Sequence, residues 1–144
     1  MLSPELDAKA KSISVNALRI VAGAAYFSHG AQKIFGWFGG MGPNHGTVDY
    51  MSRFGAAGFI EVTCGALLIV GLFTQPVAFI ASGEMAVTYF WMHWGRTGEM
   101  FWWANHGELP LLYCFIWLSY AAFGAGKFSV DGWLAKRKGE TWRF

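Results

Sequence analysis

Charge is scarce in this chain. Asp, Glu, Lys and Arg make up 14 % of its 144 residues and apolar residues 54 %, whereas ordinary soluble domains carry roughly 25 % charged residues. So few charges cannot cover a soluble surface of this size, which points to a one-domain membrane protein. The net charge is only +2 and sits mainly at the two ends, which excludes a nucleic-acid-binding surface. Cysteine is scarce too. Cys64 and Cys114 lie in separate apolar runs with no C-x-x-C pair, so neither a dithiol redox motif nor a metal site is indicated, and both read as small buried apolar residues. A cleavable leader is not indicated either. Lys9 and Lys11 precede an apolar run, but that run is too long, carries His29 and Lys33 near its far end, and lacks a small-x-small cleavage site. It reads as a retained first span.

The chain does have four apolar segments, at about 14–38, 54–72, 75–94 and 109–126, each near the ~20 residues that cross a bilayer as a helix. They predict an all-α fold: an integral membrane four-helix bundle, one domain over residues 1–144. Only Gly71–Pro76 separates the second segment from the third. Proline is tolerated in the first turn of a helix, so this is a tight helical hairpin. The first flank offers Lys9, Lys11 and Arg19, and the tail offers Lys127, Lys136, Arg137, Lys138 and Arg143. The loops after segments one and three offer only Arg53 and Arg96. Both termini are therefore predicted to be cytoplasmic, with those two loops facing outward. Trp37, Trp91, Trp94, Trp102 and Trp103 cluster at the outward ends, as an interfacial belt does. An alternative is an aromatic wall of Tyr26, Trp37, Trp91 and Trp103 around an amphipathic ligand.

Ionisable residues inside spans tend to face the bundle interior and one another. His29 and Lys33 are four apart, hence on one helix face, shared with Ala22, Ala25, Tyr26 and Gly36. Glu61 lies among Ala57, Gly58, Cys64 and Gly65, a small-residue face that lets another helix approach. Glu61 is roughly 10 Å below the outward end of its span, level with Lys33 and His29. A Lys33–Glu61 ion pair with His29 beside it is predicted. Glu84 lies mid-span on a face with Ala81, Thr88 and Trp91. His93 is nine residues further on, about half a turn out of phase, so on a straight helix Glu84 points inward and His93 sits at the interface. The third loop adds Asn105, His106 and Glu108. Glu108 precedes Pro110 and suits a helix start; alternatively, the loop folds over the bundle mouth and completes a polar site. The candidate site is thus His29, Lys33, Glu61, Glu84, Asn105, His106 and Glu108, with no metal, set against a buried polar network that merely fixes helix order.

These residues resemble the DoxX family of small bacterial four-helix membrane proteins. The likeness runs from about Arg19 to Leu134. It is carried by H-G-x-Q-K-x-F-G-W-F-G-G at His29–Gly40, by Glu61, by G-L-F-T at Gly71–Thr74, by Asn105–Leu111 and by the Gly124–Asp131 ending. The third-loop motif reads N-H-G-E where an N-G-G-E-like form is expected. The resemblance implies the bacterial cytoplasmic (inner) membrane as the location. It also implies an association with sulfur, quinone or oxidative-stress redox complexes.

Quinone chemistry needs donors at the carbonyl oxygens and a proton route. Lys33 or His29 would polarise an oxygen, Glu61 or His29 would exchange protons, and the aromatics would stack on the ring. The chain carries no redox cofactor motif, so a protein partner would bring the electrons. The expectation is a subunit of a quinone-linked or redox-stress oxidoreductase complex, in the lipid bilayer, with a protein partner or as a homo-oligomer. Two other classes stand beside it. One is a non-catalytic accessory or assembly subunit. The other is a haem protein with His29 and His93 as ligands, which rests on two isolated histidines.

Overall fold

The computed structural model describes residues 3–42 and 44–139; Arg143, counted above among the tail cations, lies outside the described residues. Helix α1 (Pro4–Phe35) begins where three local signals agree. Ser3 Oγ accepts the Leu6 N–H at 3.3 Å, Pro4 occupies the first position, and Glu5 and Asp7 lie in the first turn, all favourable at a helix start. The helix therefore starts ten residues ahead of the apolar segment. It ends at Gly36, whose left-handed backbone (φ 68°) sends its N–H back to the Ala31 carbonyl. Gly36 is a cap and not a member of the His29–Lys33 face. A 3-10 turn, Trp37–Gly39, follows.

Helix α2 (Arg53–Val70) is capped by Ser52 and closed by left-handed Gly71. Helix α3 (Thr74–Thr88) has Pro76 in its first turn. It runs on through a π-helical turn, Tyr89–Trp94, and a last α-turn, Gly95–Thr97. Then come α4 (Trp102–Asn105), α5 (Glu108–Phe123) and α6 (Val130–Arg137). The described residues contain no β-strand, only an isolated bridge between Met41 and Gly46. Among them α2 is the one helix long and apolar enough to cross a membrane. Helix α5 stops at Phe123, so residues 124–128 do not lengthen it.

Helices α1 and α2 pack backbone on backbone along a glycine seam. A Cβ on Gly30 would lie 2.6 Å from the Val62 nitrogen and 2.7 Å from the Gly58 carbonyl oxygen. One on Gly65 would lie 2.8 Å from the Phe27 backbone. Gly23 and Gly30 are seven residues apart on α1, as are Gly58 and Gly65 on α2, so each pair keeps to one side of its helix. Only residues without a side chain permit such an approach. Helices α3 and α5 form the second close pair. Large rings join the pairs: Tyr26 of α1 contacts Tyr113 and Trp117 of α5, with centroids 5.7 Å away in each case, and the Tyr120 hydroxyl donates to the Val15 carbonyl.

The other end is tied by a guanidinium. Arg19 is fully buried. It donates to the carbonyls of Leu68 and Ile69 at 2.6 Å, Phe128 at 2.7 Å and Ala125 at 2.9 Å, and to Asn16 Oδ1 at 3.3 Å. Two of these acceptors lie in the last turn of α2, where carbonyls have no partner within the helix. Asp131 serves the opposite need, accepting the Phe73 and Thr74 N–H groups at 2.9 and 2.8 Å at the start of α3. Arg19, counted above as a flanking cation, is thus a buried tie between α1, the α2–α3 hairpin and the 124–128 turn.

Candidate ligand-binding cleft

The glycine seam sets the first part of the site. Where Gly30 meets α2 its nearest neighbours include Glu61 Cβ, and where Gly58 meets α1 they include Lys33 Cβ. Close approach therefore brings the two long side chains together. Lys33 Nζ lies 2.6 Å from both Glu61 carboxylate oxygens. Glu61 is 3 % exposed and Lys33 16 %, so this is a buried bidentate pair, as the matched depths anticipate.

Glu84 occupies a different position. Tyr26 donates its hydroxyl to one carboxylate oxygen and Thr88 to the other, each at 3.0 Å. No cation forms an ion pair with Glu84 among the described residues. Lys33 and Glu84 line one cleft of about 510 Å³ between the first half of α2 and the second half of the α3 rod, walled by apolar side chains such as Ile60, Ile80 and Val87. Helices α2 and α3 share the hairpin end and pack less extensively than the two close pairs, which leaves this space open between them.

His93 lines the same cleft, against the expectation that it faces away from Glu84. The straight-helix premise fails at Tyr89–Trp94. The π-helical turn there inserts about one residue, turning everything beyond it back by roughly 100°. His93 Nδ1 then faces the Asn105 carbonyl at 3.0 Å. A carbonyl only accepts, so Nδ1 is the donor, and in the neutral ring Nε2 is the acceptor.

Asn105 organises the third loop. Its Nδ2 donates to the Glu99 carbonyl at 2.9 Å and its Oδ1 accepts the Gly107 N–H at 2.7 Å. Tyr89 closes the same loop by donating to the Met100 carbonyl. The loop is thereby pinned to the end of the α3 rod, and Asn105 reaches the cleft only through His93. His106 is exposed in a left-handed conformation (φ 58°), and Glu108 is exposed in the first turn of α5, where a carboxylate suits the helix dipole. Neither bonds to Lys33, Glu61 or Glu84 among the described residues. His29 is half-buried with its ring edge-on to Tyr113 at 6.3 Å.

The four aromatics do not form one wall. Trp91 lines the cleft, with the Arg53 guanidinium 5.1 Å from its ring centre. Tyr26 is buried in the core. Trp37 packs on Phe35, and Trp103 stacks on Phe101 at 4.5 Å, both exposed elsewhere. Sequence reasoning grouped Thr88 with Glu84 on one face but did not assign it to the site; i, i+4 spacing was the available signal. It also missed Arg53 and Arg96 at the cleft mouth, which were counted only as loop charges.

The model of the DoxX family matches residues 14–94, a stretch that contains Lys33, Glu61, Glu84 and His93. A protein of Haemophilus influenzae (strain ATCC 51907 / DSM 11121 / KW20 / Rd), named as uncharacterized, is 40 % identical over 122 residues, which is 83 % of this chain and 90 % of that protein. No solved structure matches the chain.

Proposed function

The chain belongs to the DoxX family, a membrane-associated family, and from that premise we propose that it is a membrane subunit of a quinone-linked or redox-stress oxidoreductase complex. In this reading α1, α2, the α3 rod and α5 cross the bacterial inner membrane, with both termini cytoplasmic and the cleft toward the outward face. A quinone or similar amphipathic molecule would lie in the α2/α3 cleft.

The observation that carries the reading is the cleft itself, where apolar walls enclose three polar groups of different character. Its volume is that of a small-molecule pocket, ~300–1,000 Å³. Lys33 spends two of its three N–H donors on Glu61 and keeps one for the cleft. Glu84, steadied by Tyr26 and Thr88, is a carboxyl able to hold or release a proton there. His93 presents an acceptor nitrogen. A bound quinone would supply the electron-carrying chemistry, with electrons from a partner protein. The test is the quinone content of the purified protein. Wild type should carry quinone, and Lys33→Ala and Glu84→Gln should each carry less. Equally low content in wild type and Lys33→Ala overturns the reading.

One observation favours the second reading, an accessory subunit with structural charges. Both Glu61 oxygens are taken by Lys33, and Glu61 is not among the cleft-lining residues. On that reading Glu61→Gln lowers abundance and removal of both charges restores it with partner binding intact. Restored abundance with lost quinone returns the pair to the site.

A further inference from the structure

The mouth of the cleft carries two exposed cations with no ion-pair partner among the described residues. Arg53 opens α2 and Arg96 lies in the last turn of the α3 rod, and both line the cleft. Among the described residues neither forms an ion pair or a hydrogen bond. Arg53 only lies over the Trp91 ring, a contact that steadies the guanidinium while leaving its N–H edge free. Each guanidinium has five donors in a planar fork. Arg53 is also on the unfavourable end of its helix. A helix N-terminus is already positive, and α2 has no acidic residue in its first turn to offset the added charge. Two exposed forks and a helix dipole of the same sign lie along one cleft, whose carboxylate, Glu84, is held by Tyr26 and Thr88 and pairs with neither arginine among the described residues. An anion is the missing member.

The chemistry of that anion follows from its neighbours. The cationic mouth opens directly onto the apolar walls of Ile60, Ile80 and Val87. A free ion would satisfy the forks but not the walls, whereas an amphipath with an anionic head satisfies both. In the orientation proposed above, the mouth lies at the level of the lipid headgroups. We propose that Arg53 and Arg96 clamp the phosphodiester of an anionic membrane phospholipid, with an acyl chain lying along the outer wall of the cleft. Guanidinium forks match phosphate oxygens two at a time. The headgroup then closes the lateral opening and confines whatever occupies the floor at Lys33, Glu84 and His93. This inference rests on the proposed orientation but not on the identity of the floor ligand.

The experiment is native mass spectrometry of the full chain, released from micelles doped with equal phosphatidylglycerol and phosphatidylcholine. Wild type should retain phosphatidylglycerol about tenfold more, the size of one charge-assisted contact. Arg53→Gln/Arg96→Gln should abolish the preference while melting within a few degrees of wild type. Lys9→Gln/Lys136→Gln, with the same change in net charge far from the mouth, should keep it. Equal retention of the two lipids by wild type overturns the proposal. So does an equal loss in the Lys9/Lys136 variant, which reveals general charge attraction, and so does full competition by glycerophosphate, which reveals an ion site. Failure to find quinone in the same preparations bears on the floor ligand alone, because only phospholipid is read here.

Discussion

The Lys33–Glu61 pair makes an asymmetric prediction. Removing one member of a buried ion pair costs about 3–5 kcal/mol because the other charge is stranded. The two members are not stranded alike. Lys33→Ala leaves Glu61, 3 % exposed and with no other ion-pair or hydrogen-bond partner among the described residues, so its cost falls in that full range. Glu61→Gln leaves Lys33, which is 16 % exposed and opens onto a cleft that holds a second carboxylate, Glu84. Its ammonium can turn toward that carboxylate, and the new amide still accepts one bond. The cost should be closer to that of one buried partner lost, about 1–3 kcal/mol. The double replacement Lys33→Ala/Glu61→Gln removes both charges, so neither is stranded, and should cost no more than Glu61→Gln alone, about 1–3 kcal/mol. Unfolding by SDS in mixed micelles, followed by helical circular dichroism, gives all four corners of the cycle, with an expected coupling of at least about 2 kcal/mol. The reasoning is refuted if Glu61→Gln costs as much as Lys33→Ala, or if the coupling is below about 0.5 kcal/mol.

Three further outcomes follow from the packing. Gly30→Ala should destabilise by about 1–3 kcal/mol, since its methyl would meet the α2 backbone at 2.6–2.7 Å; an unchanged melting temperature would refute the seam. Gly83→Ala, where a Cβ meets nothing within 4 Å, should stabilise α3 by about 0.5–1 kcal/mol yet reduce quinone retention by narrowing the cleft it lines; a more stable protein with unchanged retention would separate that wall from the ligand. Arg19→Lys keeps the charge but not the planar fork and should cost at least about 3 kcal/mol, because one ammonium cannot serve the four carbonyls at the α2 end and in the 124–128 turn; wild-type thermal stability in micelles would count against the tie.

What the sequence revealed was what depends on local periodicity. Apolar length placed the four long helices, and the 1.5 Å rise per residue put Lys33 and Glu61 at one depth, where small residues let the helices touch. What it hid depends on backbone groups far away in the chain. Arg19 reads as a flanking charge because its acceptors are main-chain carbonyls, which no residue type advertises. His93 reads as pointing away because the π-turn is a change of hydrogen-bond register, invisible to a fixed rotation per residue. Asn105 and His106 read as site residues because a side chain that builds its own turn and one that binds a ligand look the same in a sequence. Tyr26 reads as part of an aromatic wall around a ligand, while its ring packs against Tyr113 and Trp117.

The buried guanidinium also sets an order of events during synthesis. Arg19 leaves the ribosome long before its last acceptor, Phe128, 109 residues later; at ~5–20 residues per second that is an interval of roughly 5–20 s. Through that time its donors must be met by water, by the insertion machinery or by the half-complete hairpin at Leu68 and Ile69. The nascent chain therefore has α1 and α2 in place while one end of the assembly is still unsealed. Only the arrival of the 124–128 turn fills the remaining donors, so this turn acts as the latch on the first helix. A message cut short before that turn would yield a protein with the cleft residues Lys33, Glu84 and His93 all present but the opposite end open, the kind of species that membrane quality control removes.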